Sequence, residues 1–205
     1  ISVVVIGFVT AAMIIVLSAF NGIDMLVDDL YSTFDGDITI RPARGKDLNP
    51  DSLDLSLITG SEGYVDHFEI VEQNVLLTYR DQQRVATMKA VPADYVAYRN
   101  LASRVEQGSE ILKDGARYYA LLGMNVNYDL NAGLFSETLT PLSVNAPRRG
   151  KRISKDRDRA FKREALPIGG LFRINIDYDS RYFLAPIEFG RELMEYDREC
   201  NKIEV

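Results

Sequence analysis

The sequence predicts an α+β protein built from an apolar membrane-spanning helix, an amphipathic stalk and a mixed α+β domain. Three observations lead to this prediction. The first 23 of the 205 residues carry no charged side chain. Beyond residue 36, alternating apolar and polar residues are typical of strands, and short runs with helical spacing lie between them. The composition, 46% hydrophobic and 26% charged, argues against a disordered chain or a multi-span membrane protein.

The chain starts with an apolar run. Residues 1–20 read ISVVVIGFVTAAMIIVLSAF, which at about 1.5 Å per residue is long enough to cross a hydrocarbon core. We therefore predict a transmembrane helix over residues 1–22. Small residues such as Gly7 and Ala11 allow close helix packing and suggest neighbouring spans. A signal peptide is the alternative, but signal peptides have a shorter apolar region that follows basic residues.

Helical spacing of apolar residues continues after this run. It predicts that the same helix leaves the membrane as an amphipathic stalk over residues 23–35. Asp24, Asp28 and Asp29 lie at the exit and no basic residue precedes Arg41, which argues that this end is not cytoplasmic. The apolar stalk positions are Ile23, Leu26, Val27, Leu30 and Phe34.

The remaining chain alternates strands and short helices. We predict, in order, a strand at 38–41, a short helix at 49–58, a β-hairpin within 67–91 and a helix at 95–98. There follow a short helix within 119–126 broken at Gly123, strands at 139–144, 166–176 and 182–186, a helix at 187–196, and the start of a strand at 201–205.

The charge is unevenly distributed. The net charge of −6 makes nucleic acid a poor partner. Residues 147–164 nevertheless hold nine basic and three acidic side chains, so this segment carries +6 and the rest of the chain −12. It falls between two predicted strands and is expected to project as a long hairpin. Two interpretations remain open: a solvated, mobile loop, or an electrostatic contact for an acidic protein or anionic lipid headgroups.

The sequence contains few residues suited to catalysis. With one histidine, His67, and one cysteine, Cys200, the sequence gives no basis for a Ser-His-Asp triad, a Cys-His pair or a His-rich metal site, and the single cysteine excludes an intrachain disulfide. His67 is interpreted as an ordinary residue at the start of a strand. Asp177 and Asp179 are interpreted as a solvated turn. We therefore predict no enzyme activity, no catalytic residue, no cofactor and no metal.

The end of the apolar run, Leu17-Ser18-Ala19-Phe20-Asn21-Gly22, resembles the exit from the first transmembrane helix of the LolC/LolE-type lipoprotein-releasing ABC transporter permeases, within the MacB-like and FtsX-like permease group. Ile23 stands where that family usually has Phe. The resemblance continues along most of the chain, at residues 34–46, 120–133 and 170–196.

The resemblance implies a MacB-like periplasmic core domain of two parts. A porter-like α+β part would cover residues 36–100, and an inserted β-rich, Sabre-like part residues 101–198. The basic hairpin 147–164 would lie within the insertion, and residues 199–205 would start the return strand to the porter-like part.

The implied function is that of a non-catalytic permease subunit in the inner membrane, which helps extract lipoproteins and hand them to a periplasmic chaperone. The implied partners are a cytoplasmic ABC ATPase, a second permease copy or a paralogue, the chaperone and membrane lipid. In LolC-like members a hairpin forms a hook that recruits the chaperone. The matching positions here are Pro147, Arg148, Arg149, Lys151, Arg152, Lys155, Arg157 and Arg159.

Two alternatives keep the membrane anchor and change the function. The first is a MacB-like exporter of peptides or drugs. The second is an FtsX-like protein that transmits a conformational signal to a periplasmic enzyme without transport.

Overall fold

The computed structural model describes residues 2–32, 34–134, 140–148 and 161–205. The chain forms two compact units, residues 1–35 and residues 36–205. The first holds a single helix and the second a mixed α+β domain, so the predicted fold class is confirmed. The finer division of the domain at residue 100 stays a prediction.

Helix α1 runs without interruption from Ser2 to Ser32. The apolar run and the residues that follow it thus belong to one helix, and the division into a transmembrane part and a stalk stays a prediction. The side chains from residue 2 to residue 25 are all exposed. Inside the apolar stretch, the hydroxyl of Thr10 donates to the carbonyl of Ile6 at 2.9 Å, so the helix itself satisfies this polar group.

The second unit contains twelve strands in its described residues. They are β1 (Thr39–Ile40), β2 (Phe68–Tyr79), β3 (Gln82–Val91), β4 (Val105–Gly108), β5 (Lys113–Asp114), β6 (Arg117–Tyr118), β7 (Ala120–Gly123), β8 (Leu142–Pro147), β9 (Phe161–Leu166), β10 (Ile168–Phe172), β11 (Tyr182–Pro186) and β12 (Lys202–Glu204).

Five short helices lie between these strands in the described part of the chain. They are α2 (Ser56–Thr59), α3 (Tyr95–Tyr98), α4 (Met124–Leu130), α5 (Ile176–Arg181) and α6 (Ile187–Met194). Two 3-10 helices cover Pro50–Ser52 and Leu101–Arg104.

Ten strands form one mixed sheet in the order β1-β12-β2-β3-β11-β7-β10-β4, with β8 and β9 added beside β2. The long strand β2 pairs with β3 along one edge. Its other edge is shared, because residues 68–70 pair with β12 and residues 76–78 pair with β8. The hairpin strands and the last strand of the chain are thus attached to different segments of one strand.

Both faces of the central strands are buried. One face contributes Val71, Met88, Leu122 and Phe183 to the main core, against which α4 and α6 pack. Helix α6 approaches the sheet closely at Gly190, where an added Cβ would clash with the Cβ of Ala90. The opposite face buries Ile70, Lys89, Leu121 and Leu184, among others.

Three predicted elements are wrong. The helix predicted at residues 49–58 is divided, because a 3-10 helix ends at Ser52 and α2 begins only at Ser56. Residues 119–126 do not form one helix broken at Gly123, because β7 ends there and α4 follows. β7 pairs with β10 and β11, and its four residues are all buried. Its sequence therefore lacks the alternation of apolar and polar residues by which a strand is predicted. The predicted strand 166–176 also ends early, at Phe172, because Asn175 caps α5 with hydrogen bonds from two backbone N–H groups.

Candidate interaction site

Strands β8 and β9 carry the basic segment. They pair in antiparallel register, from Leu142 opposite Leu166 to Pro147 opposite Phe161. The segment therefore connects two neighbouring strands, the topology expected of a hairpin. Of the eight predicted partner-binding residues, Pro147 and Arg148 are described. The other six lie outside the described residues: Arg149, Lys151, Arg152, Lys155, Arg157 and Arg159.

The base of this hairpin contacts the carboxyl end of α6. The Lys162 ammonium donates to the backbone carbonyl of Glu192. The Arg148 guanidinium lies 3.9 Å from the carboxylate of Glu195, which is the residue that caps the helix in a left-handed conformation. Cations are favoured at this end of a helix because its last carbonyl groups have no partner within the helix. The hairpin base is thus joined to the helix that covers β2 and β3.

Asn145 fixes the hairpin strands from the opposite face. Its side-chain amide donates to the carbonyl of Leu76 on β2 at 2.9 Å, and its carbonyl accepts from the Arg163 guanidinium at 2.8 Å. Asn145 is 5% exposed. A buried amide that is bonded to both neighbouring strands orders this part of the sheet.

The predicted stalk residues are only partly described. Ile23 is exposed on α1, and Phe34, two residues beyond the helix end, is fully buried. The backbone at Leu26 and Leu30 is helical, but their side chains lie outside the described residues. A stalk role for these residues stays a prediction.

The residues weighed for catalysis have structural partners. His67 shares a 2.7 Å hydrogen bond with the hydroxyl of Tyr64. The interpretation of Asp177 and Asp179 as a solvated turn is wrong for Asp179, which lies in α5 and is 5% exposed. Its carboxylate accepts from the backbone N–H of Ile174 at 2.8 Å. Burial raises the pKa of Asp179 despite this hydrogen bond. No group of three His, Cys, Asp or Glu side chains suited to a metal occurs within the described part of the chain.

A buried group of charges surrounds Glu204 and is not predicted from the sequence. The Lys89 and Lys202 ammonium groups lie 2.9 and 2.6 Å from its carboxylate, and the Tyr95 hydroxyl donates to it at 2.7 Å. Lys89 and Glu204 have no exposed side-chain surface. Burial alone would raise the pKa of Glu204, but attraction by Lys89 and Lys202 lowers it below its usual value. In the sequence, Lys89 is the one charge within the apolar end of β3, whereas Lys202 and Glu204 alternate with Ile203 and give no sign of burial.

An apolar groove of about 290 Å³ lies beside α3. Val96, Leu112 and Lys113 are part of its lining, and the Lys113 ammonium donates a hydrogen bond to the carboxylate of Glu188 on α6. This hydrogen bond raises the pKa of Lys113. The groove contains none of the residues predicted for partner binding.

No family model and no curated protein matches the chain. Among solved structures, the chain is similar to the extracellular domain of the noncanonic ABC-type transporter YknZ from Gram-positive bacteria. The likeness covers 81% of each chain at 12% sequence identity, with a TM-score of 0.48.

Proposed function

We propose that the chain is part of a permease subunit of an ABC transporter, and that it helps extract lipoproteins from the inner membrane. The observation that carries this proposal is α1. Its segment from Ser2 to Met25 is 24 residues long and wholly exposed, with Asp24 as the only charge. A helix of that length extends about 36 Å, enough for a hydrocarbon core of about 30 Å. Within residues 1–35, no protein surface covers this apolar stretch, which favours lipid as its surroundings.

The motif at residues 17–22 supports a permease. It lies in the last part of the exposed apolar stretch, where the helix would emerge from the bilayer. The resembling permeases carry their motif at the same point. The acidic residues that follow favour a periplasmic location for the α+β domain.

The basic segment supports the exchange of cargo with an acidic periplasmic chaperone. It concentrates +6 in residues 147–164, which include the end of β8 and the start of β9, in a domain that is otherwise negative. Such a concentration of charge speeds association with an oppositely charged partner and orients it. The contacts of Lys162 and Arg148 with α6 would transmit the position of a bound partner to the helix on the sheet.

A transport role requires further subunits. We propose that a cytoplasmic ATPase supplies the energy and that a second permease copy or a paralogue completes the membrane pathway. On this view the chain is not an enzyme and binds no nucleic acid.

The test is a pull-down with a periplasmic lipoprotein chaperone, using the full chain in detergent. We expect the chaperone to be retained and retention to fall at least about tenfold when Arg148, Arg149, Lys151 and Arg152 become Ser. A matched control changes four exposed basic residues elsewhere, Arg44, Lys46, Arg117 and Arg198, and should leave retention unchanged.

The outcomes separate the alternatives. Equal losses in both variants would mean that only total charge matters and would contradict a specific hairpin contact. No retention by the intact chain would contradict lipoprotein transfer. In that case, copurification with an ATPase and an outer-membrane channel would favour the MacB-like exporter. Binding of a periplasmic enzyme instead would favour the FtsX-like protein.

A further inference from the structure

The edge formed by β1 and β12 is held by very few backbone hydrogen bonds. β12 has three residues and β1 has two, and β1 pairs with β12 alone among the described strands. Beside them, the N–H groups of Ile38 and Val205 donate to each other's carbonyl groups at 3.3 and 2.9 Å. Such short pairing is marginal by itself, so side chains must contribute to holding this edge.

Glu204 supplies that contribution. It projects from β12 to the buried face and contacts Lys89, which belongs to β3 on the far side of β2. Tyr95, on α3, donates to the same carboxylate. The Glu204 side chain therefore contacts both β3 and α3. β12 is thus held by its backbone pairing with β2 and also by side-chain contacts with β3, on the far side of β2, and with α3.

A second ion pair extends the group toward the surface. Lys202 contacts both Glu204 and the carboxylate of Glu72, at 2.6 and 3.2 Å. Glu72 in turn lies 3.5 Å from the Arg41 guanidinium, immediately after β1. The charges alternate in sign from Lys89 to Arg41, so each buried charge has an opposite neighbour, as burial requires.

The chain that leads into β1 passes directly over this group. A Cβ on Gly36 would lie 2.8 Å from the Cβ of Glu204 and 2.9 Å from the Arg99 guanidinium. Glycine permits the close approach. Opening of β1 would therefore bring water to Glu204 and Lys89.

We infer that Lys89 and Glu204 form a buried ionic clasp that holds β12, and through it β1, to the sheet. When either charge is removed, this edge opens locally while the β2–β3 hairpin stays protected. β1 is the first strand after α1, so the clasp also holds the start of the α+β domain. The inference concerns the domain itself and does not depend on the cargo.

The test is backbone hydrogen exchange of the full chain in lipid nanodiscs. For Glu204→Gln we expect exchange in residues 36–41 and 200–205 to accelerate at least about tenfold, because the variant removes the negative charge that lies 2.9 Å from the buried Lys89 ammonium. Exchange in residues 74–87 should not change. Glu188→Gln, which removes an exposed ion pair with Lys113, is the matched control and should leave all these segments unchanged.

A double variant separates the clasp from general destabilisation. Adding Lys89→Met to Glu204→Gln also removes the buried positive charge that faced Glu204, and should restore part of the lost protection at residues 36–41. Tyr95→Phe removes one hydrogen bond to Glu204 and should accelerate hydrogen exchange in the same segments by a smaller factor. If Glu204→Gln does not fold, this variant tests the clasp. Uniform acceleration over the whole domain, or unchanged exchange at the edge, would overturn the inference.

Discussion

The side chain of Asn201 bonds both backbone polar groups of Glu72. Its carbonyl accepts from the Glu72 N–H at 2.8 Å, and its amide donates to the Glu72 carbonyl at 2.6 Å. Glu72 lies between the part of β2 paired with β12 and the part paired with β8. Asn201 thus supplies hydrogen-bond partners to the Glu72 backbone on the edge of β2 where neither β12 nor β8 pairs with it.

Asn201→Ala should lower the free energy of unfolding by about 1–3 kcal/mol, because it leaves a partly buried N–H and carbonyl without their partner. The measurement is denaturant unfolding of the full chain in detergent. Asn49→Ala removes one exposed hydrogen bond, to the N–H of Asp51, and is expected to have a smaller effect. Equal effects of the two substitutions would contradict the role given to Asn201.

Gly190→Ala should destabilise the domain by about 1–3 kcal/mol, since the added methyl group overpacks the contact with Ala90. Thermal unfolding measures the effect. Ala90→Gly in the same chain vacates the space, and the double variant should regain part of the loss relative to Gly190→Ala. Additive losses would show that the two positions are not in contact.

Asp179 should make stability fall as pH rises. Its folded pKa is raised, chiefly by burial, so the folded state holds its proton at pH values where the unfolded state has lost it. Stability is therefore lost between the unfolded pKa and the raised folded pKa, and the loss is complete above the latter. Asp179→Asn lacks this dependence.

The measurement is the free energy of unfolding of the unmodified chain and of Asp179→Asn between pH 3 and pH 8. We expect similar stability at the acid end, where both side chains are neutral, and a relative gain for Asp179→Asn as pH rises. A relative loss for Asp179→Asn at high pH would mean that the ionised carboxylate is stabilised by its surroundings.

Met13→Arg should weaken membrane insertion of α1. An arginine near the centre of a membrane helix costs about 2.5–3.5 kcal/mol on the insertion scale. The measurement is the fraction of full chain retained in membranes after alkaline extraction. Met25→Arg, at the end of the apolar stretch, should insert nearly as well as the unmodified chain. Full retention of both variants would contradict a spanning helix.

Local patterns account for what the sequence predicted correctly. The β2–β3 hairpin follows from alternating residues on either side of a polar turn, and α1 follows from a long uncharged run. β7 was missed because a strand buried on both faces reads as the apolar run ALLG, which fits a helix equally well.

The buried charges around Glu204 could not be predicted from the sequence for a different reason. Lys89 and Glu204 are far apart in the chain, and they meet only because β2 holds β3 on one edge and β12 on the other. Sequence spacing does not give the register of such strands. The basic segment was identified from composition, whereas its attachment to α6 depends on where the helix packs.

The divided edge of β2 has a consequence for engineering. Residues 76–78 hold the hairpin strands and residues 68–70 hold β12, so the two attachments share no backbone hydrogen bond. The connection between Pro147 and Phe161 can therefore be shortened, lengthened or replaced by a graft from a related protein without altering the pairing that follows α1. If the hairpin recruits the partner as proposed, exchanging this connection changes the choice of partner and leaves the attachment of β12 and β1 in place.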